Sequence, residues 1–82
     1  MRYIDLTKAP CNHTLEVMTV SGDARMEKRF ESLGIRKGKR IRKIATQPFG
    51  GPVVIEVNGS KISLGHNIAA KIEVEVLTSP SG

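Results

Sequence analysis

The strongest constraint on this fold is a pair of short β-type segments joined by Asn58 and Gly59. Residues 53–57 read VVIEV, and residues 60–64 read SKISL. Asn-Gly is the strongest short hairpin signal, since both central residues of a type I′ turn require a positive φ. The sequence therefore predicts two antiparallel strands joined by a tight turn.

Three further segments have the composition and alternation of β-strands. They are TLEVMTV at residues 14–20, KRIRKIAT at residues 39–46 and KIEVEV at residues 71–76. In the last of them, Ile and Val alternate with Lys and Glu, which indicates a strand with one buried face. One turn of helix is predicted between Gly65 and Ala70, ahead of that strand. The chain is thus predicted to have five strands.

The segment ARMEKRFESL, residues 24–33, has the spacing of a helix rather than a strand. Met26, Phe30 and Leu33 stand at i, i+4 and i+7, so they form one apolar stripe that faces a core. Asp23 precedes the segment as an N-cap, and Gly34 follows it where a left-handed C-terminal cap favours glycine. We therefore expect a single helix inserted between the first two strands.

The chain has 82 residues and one cysteine, Cys11. This length excludes a multi-domain enzyme, and a single cysteine excludes an intramolecular disulfide framework. Five short strands close with the least material into a small antiparallel barrel, so the fold is predicted to be mainly β. Residues 1–77 are predicted to form one domain, with a loose polar tail at residues 78–82. A cytoplasmic setting is expected, because the chain shows neither a secretory signal nor a transmembrane segment.

The residues offer little for catalysis or for metal binding. No constellation of converging titratable groups appears, so the chain is not expected to be an enzyme or to carry a cofactor. Cys11, His13 and His66 are the candidate metal ligands, but a structural zinc site usually needs four such ligands. No metal site is expected, although a metal-sensing module remains an alternative. Gly50 and Gly51 lack the lysine of a phosphate-binding loop and are predicted to form a hairpin turn.

The positive charge is concentrated in one part of the chain. The whole sequence has a net charge of +5, whereas residues 24–43 contain nine Lys and Arg against two Glu, a net charge of +7. Such a segment points to an acidic partner or to an anionic membrane surface. The contacts expected to a partner are Arg25, Arg29, Arg36, Lys37 and Arg40. Phe49 and Met18 are the apolar anchor candidates beside them.

Nucleic acid is an alternative partner for a basic barrel, but the aromatic residues do not favour it. Single-strand platforms stack bases on exposed aromatic rings. The chain has one Tyr, two Phe and no Trp, and Phe30 is assigned to the core. Only Phe49, at a loop tip, is placed to stack on a base. A protein partner is therefore the better prediction, and a nucleic-acid-binding barrel is the runner-up.

Two long segments of the sequence resemble the FeoA family of small proteins associated with bacterial ferrous iron uptake. They are RFESLGIRKGKRIRKI and QPFGGPVVIEVNGSKISLGHNIAAKIEV, and the resemblance runs from about Thr14 to Val76. The residues that carry it in the helix exit and before the third strand are Leu33, Gly34, Ile35, Gly38, Gly51 and Pro52.

This resemblance implies an SH3-like barrel with an inserted helix and no catalytic activity. It also implies a regulatory or assembly role toward a FeoB-type transporter, a membrane ferrous-iron permease with a cytoplasmic GTP-binding region. The chain would then be at most peripheral to the membrane. The motif residues would be largely structural, with Leu33 and Ile35 sealing the barrel and Gly34 and Gly38 holding unusual backbone angles. Similar domains occur at the C-terminus of iron-dependent repressors.

Overall fold

The computed structural model describes residues 3–77, so the predicted polar tail at residues 78–82 lies outside it. Within that range the chain forms six strands, two α-helices and one short 3-10 helix. The strands are β1 (Ile4–Asp5), β2 (Thr14–Val20), β3 (Arg40–Thr46), β4 (Val53–Val57), β5 (Ser60–Leu64) and β6 (Ile72–Val76). The helices are α1 (Ala24–Ser32) and α2 (His66–Ala69), and the 3-10 helix spans Leu6–Lys8.

The strands form one antiparallel sheet in the order β1-β6-β2-β3-β4-β5. The mainly β, SH3-like fold and the inserted helix are confirmed. The strand count is corrected from five to six, because β1 adds to the edge of β6 with Ile4 opposite Val74. A two-residue strand is too short to show alternation, which is why the sequence pattern missed it.

The hairpin between β4 and β5 has the predicted geometry. Val57 pairs with Ser60, and the two residues between them, Asn58 and Gly59, have φ values of +54° and +82°. Both central residues therefore occupy the left-handed region that a type I′ turn requires.

The inner face of the sheet forms most of the core, which Phe30 of α1, Leu6 of the 3-10 helix and Ala69 of α2 complete. Alternate residues of each long strand point inward, as Leu15 and Val17 do in β2 and Ile72 and Val74 do in β6. Phe30 of α1 is the largest of the fully buried side chains and is only 1% exposed. Burying a phenylalanine side chain of this kind stabilises a fold by about 1.5–3 kcal/mol. The helix is thereby fixed against the sheet.

Candidate functional site

Helix α1 ends in a Schellman motif that turns the chain back toward the sheet. Gly34, with a φ of +83°, donates its N–H to the carbonyl of Glu31 over 2.9 Å, and Ile35 donates to the carbonyl of Phe30 over 2.8 Å. This bond pattern needs a left-handed residue directly after the helix, which favours glycine. Ile35 then enters the core, 1% exposed, beside Phe30. The chain then brings the next two residues, Arg36 and Lys37, to the surface directly after this motif.

A groove of about 370 Å³ lies between α1, this exit turn and the end of β2. Its lining comes from β2 (Met18, Thr19 and Val20), from α1 (Glu27, Phe30 and Glu31) and from the exit turn (Ile35, Arg36 and Lys37). The buried side chains of Phe30 and Ile35 form an apolar floor, and Met18 and Val20 are half-buried beside them. The groove therefore offers apolar surface within a charged rim.

The groove exists because β2 is longer than its pairing with β3. The register with β3 runs from Thr14 to Glu16, and Gly38 then donates its N–H to the carbonyl of Val17 over 2.8 Å. Beyond that point the chain of the exit turn leaves the β2 edge, while β6 continues to pair with β2 as far as Val20. The last residues of β2 consequently border the groove instead of a neighbouring strand.

The rim of the groove carries charges of both signs. Glu27 and Glu31 are exposed one helical turn apart on the α1 side, and Arg36 and Lys37 are exposed at the exit turn. The two glutamates were not predicted as site residues, although their i, i+4 spacing beside the buried Phe30 could have indicated that they flank a packed face. The groove thus has an acidic wall and a basic end.

The structure does not bring the five predicted cations together. Arg25 and Arg29 are exposed on the opposite flank of α1 from Glu27 and Glu31, because about 3.6 residues complete each helical turn. Only Arg36 and Lys37 line the groove. The fifth cation, Arg40, lines a second surface depression together with Thr14, Ile41, Arg42, Glu56, Asn58 and Gly59. The sequence cluster is therefore divided among three surfaces.

Lys43, which the sequence placed in the basic segment, is not a surface cation. It is 2% exposed, and its Nζ donates hydrogen bonds to the carbonyls of Thr7 over 3.0 Å and Ala9 over 2.6 Å. Burial removes the ammonium from water and lowers the pKa of Lys43 below its ordinary value of 10.5, while Cys11 and Asp5 act in the opposite direction. The side chain ties the N-terminal segment to β3, so its charge is unavailable to a partner.

Phe49 lies at the tip of the β3–β4 hairpin and is 103% exposed. Arg40 begins β3 and Phe49 follows its end, so the length of the strand, about 20 Å at its usual rise, separates them. The hairpin turn between β3 and β4 is closed by a 3.2 Å bond from the N–H of Gln47 to the carbonyl of Pro52. Gly51 allows this closure, because a Cβ there would stand 2.5 Å from the Cβ of Gln47. Phe49 therefore lies beyond the far end of β3 from the exit turn and does not line the groove.

The three candidate metal ligands do not converge. His13 is hydrogen bonded through Nδ1 to the backbone carbonyl of Cys11, at 3.0 Å, and Cys11 is a half-buried free cysteine. His66 begins α2, and its buried Nδ1 has no hydrogen-bond partner. Within residues 3–77 no group of three or more His, Cys, Asp and Glu side chains is placed to hold a metal ion. The same part of the chain contains no helix with the length and hydropathy needed to cross a membrane.

A six-stranded antiparallel sheet with one helix inserted between β2 and β3 and a groove beside that helix defines a small SH3-like domain. The sequence model of the FeoA domain matches residues 4–76, which is nearly the whole chain. The chain therefore belongs to the FeoA family. Of the other motif residues, Leu33 is partly buried against the core and Gly38 has a φ of +90°.

Known proteins and solved structures agree with this assignment. A protein of Methanocaldococcus jannaschii named as a putative Fe(2+) transport protein A is 43% identical over 47 residues, which are 57% of this chain and 55% of that protein. The match thus spans about half the length of that relative. A crystal structure of the iron uptake regulatory protein FeoA superposes with a TM-score of 0.85 at 22% identity, covering 93% of this chain and 100% of the other.

Two further structures share the fold. The solution structure of a FeoA-like protein from Clostridium acetobutylicum superposes with a TM-score of 0.81 at 23% identity and covers 100% of this chain and 95% of the other. A manganese-dependent transcriptional repressor superposes with a TM-score of 0.82 at 28% identity, covering 92% of this chain but 42% of the repressor. The same fold therefore occurs in chains of similar length and as part of a longer repressor chain.

Proposed function

We propose that this chain is a non-enzymatic accessory protein of ferrous iron uptake that binds the cytoplasmic part of a FeoB-type transporter through the groove between α1 and β2. The observation that carries the proposal is the position of Arg36 and Lys37, which stand exposed at one end of an apolar groove. Membership of the FeoA family supports a role in ferrous iron uptake. The groove with its apolar surface and exposed cations supports binding to a partner at this site.

The groove combines the two features that a protein interface needs. Exposed ion pairs contribute little affinity, about 0–1 kcal/mol each, but complementary charges accelerate and orient the encounter. The affinity itself comes from apolar groups that lose contact with water, and the half-buried side chains of Met18 and Val20 provide such surface. A partner segment with an apolar side chain next to a carboxylate fits this arrangement, with the carboxylate against Arg36 and Lys37.

A charge-reversal pair tests this proposal. The variant Arg36→Glu with Lys37→Glu reverses the two cations of the groove, and Arg25→Glu with Arg29→Glu makes the same change of net charge on the opposite flank of α1. Each variant and the wild-type chain would be co-purified with the FeoB-type transporter of the same genome. We expect the groove variant to bind at least about tenfold more weakly and the flank variant to bind nearly as the wild type.

The comparison separates the groove from a general effect of charge. Equal loss in both variants would mean that net charge governs the interaction, and the groove would not be the binding site. Full binding by the groove variant would remove Arg36 and Lys37 from the interface. Circular dichroism and urea unfolding of each variant control for folding, since all four side chains are exposed.

Binding of nucleic acid has less support than binding of a protein. Phe49 is more exposed than Tyr3, the other exposed aromatic of the described residues, but it lies at the far end of β3 from Arg40 and from the exit turn. A single-strand platform places its aromatic rings within a positively charged groove. Steep salt dependence of binding to random oligonucleotides would favour this runner-up over the transporter.

A further inference from the structure

The tip of the β3–β4 hairpin has a turn whose sequence does not suit its backbone. Gly51 donates its N–H to the carbonyl of Pro48 over 3.2 Å, and the two residues between them, Phe49 and Gly50, have φ values of +60° and +73°. Positive φ at both central positions is the requirement of a type I′ turn. The turn therefore places a phenylalanine where the backbone is left-handed.

The second hairpin of the same chain shows what this turn type favours. Asn58 and Gly59 occupy its two central positions with nearly the same φ values, +54° and +82°. Asparagine tolerates the left-handed region because its short side chain bonds to the local backbone, whereas a bulky residue there is an outlier. Phe49 is thus the residue in this turn that the backbone conformation least explains.

Packing within the chain does not explain Phe49 either. Its side chain is 103% exposed, the largest exposed fraction among the large hydrophobic residues of the described segment. The ring contributes no buried apolar surface that would offset its strained backbone. Neither local conformation nor the core accounts for an aromatic residue at this position.

The turn nevertheless holds Phe49 in a defined position. The bond from the N–H of Gln47 to the carbonyl of Pro52 closes the turn below the tip, and Pro48 restricts φ within it. Aromatic side chains have few rotatable bonds, so a preorganised ring loses little entropy on binding. These are the properties of an anchor residue at a protein interface.

The surroundings of the ring indicate the chemistry of its partner. Residues 47–52 carry no charge, and the full length of β3 separates the tip from Arg40. A single aromatic ring binds a lipid surface weakly unless cations lie beside it. The uncharged tip therefore fits an apolar pocket of a protein better than a membrane surface.

We propose that Phe49 is an anchor residue that inserts into an apolar pocket of the partner protein, at a second contact remote from the α1–β2 groove. The identity of that partner as the FeoB-type transporter rests on the proposed function. The two contacts lie at opposite ends of β3, so one partner would hold the domain at both ends.

The variant Phe49→Asn tests the assignment, because it gives this turn the Asn-Gly pair that the other hairpin has. We expect the variant to unfold at a higher urea concentration than the wild type, with an unchanged m-value, while its affinity for the purified transporter falls at least about tenfold. If Phe49 were needed only for folding, Phe49→Asn would instead unfold at a lower urea concentration than the wild type. Phe49→Ala should lose the same affinity without the gain in stability.

The outcomes distinguish this inference from the proposed function. If the groove variant Arg36→Glu with Lys37→Glu loses binding but Phe49→Asn binds as the wild type, the anchor assignment is overturned and the groove stands. If the wild-type chain does not bind the transporter, the proposed function and the partner of Phe49 are both overturned. Sedimentation with phosphatidylcholine and phosphatidylserine vesicles that depends on Phe49 would overturn the protein pocket in favour of a lipid surface.

Discussion

Substituting Gly34 by alanine should destabilise the domain more than the same substitution at Gly38. Both glycines are left-handed, with φ values of +83° and +90°, so a Cβ costs each about 1–2 kcal/mol. The two sites differ in how closely other atoms would approach the added Cβ. A Cβ at Gly34 would stand 3.2 Å from Asn58 Nδ2 and 3.2 Å from Val57 Cγ1, whereas none of the surrounding atoms lies within 4 Å at Gly38.

This difference in crowding determines how much folding stability each substitution costs. Gly38→Ala should cost only the conformational term, about 1–2 kcal/mol. Gly34→Ala should cost this term plus about 1–3 kcal/mol for overpacking against β4 and the β4–β5 turn, in total about 2–5 kcal/mol. A domain of 82 residues has roughly 4–12 kcal/mol of stability at the usual amount per residue. Gly34→Ala should therefore lose a large share of the stability, and Gly38→Ala should remain well folded.

Urea unfolding followed by circular dichroism measures both values, with thermal unfolding as a second measure. Each kcal/mol should lower the melting temperature by about 4–8 °C in a domain of this size. Equal destabilisation by the two substitutions would refute the packing argument, because only the left-handed backbone would then matter. A smaller loss at Gly34 than at Gly38 would show that the Schellman motif does not fix the exit turn against β4.

Three further predictions concern the core and the caps. The pKa of Lys43 is lower in the folded than in the unfolded chain. Between these two pKa values the unfolded chain binds more protons than the folded chain. This residue therefore makes the free energy of unfolding rise as the pH increases toward 10.5. Lys43→Met should abolish that contribution, and identical pH slopes from urea titrations of the two chains would contradict it. Asp23→Ala removes the carboxylate that accepts a 2.9 Å bond from the N–H of Met26, so it should cost about 0.5–2 kcal/mol in urea unfolding, whereas Asp23→Asn should cost less. Phe30→Ala should cost about 3–5 kcal/mol by the same measurement, and a loss below 1 kcal/mol would mean that α1 is not fixed to the sheet by this side chain.

The sequence predicted most of the fold because its local signals agree with its tertiary structure. The Asn58-Gly59 turn, the Asp23 cap and the apolar stripe of α1 each depend on residues close together in the chain. The strand β1 was missed because it is defined only by pairing with β6, more than sixty residues away. The left-handed backbone conformation of Phe49 was missed because phenylalanine is not a residue that such a turn favours.

The candidate site was predicted less completely, for a physical reason that the cations illustrate. Residues adjacent in sequence point in different directions once they lie on a helix, a turn and a strand. Arg36 and Lys37 line the groove. Arg29 lies on the opposite flank of α1, and Arg40 lines the second depression beside β3 and β4. A run of charge in the sequence therefore could not define a binding surface.

By itself, the sequence determined the order of β2 to β6 and of the two α-helices, the two hairpins, the caps of α1 and the resemblance to the FeoA family. Only the tertiary structure decided which charged side chains are exposed, on which surface they lie and which of them are buried. Lys43 shows this most clearly, since Arg40 and Arg42 of the same strand are exposed or half-exposed, yet Lys43 lies on the inner face of β3. The carbonyls of Thr7 and Ala9, which come from the other end of the chain, accept its hydrogen bonds. Long-range contacts of this kind depend on the closure of the sheet around its core, and local sequence patterns carry no information about them.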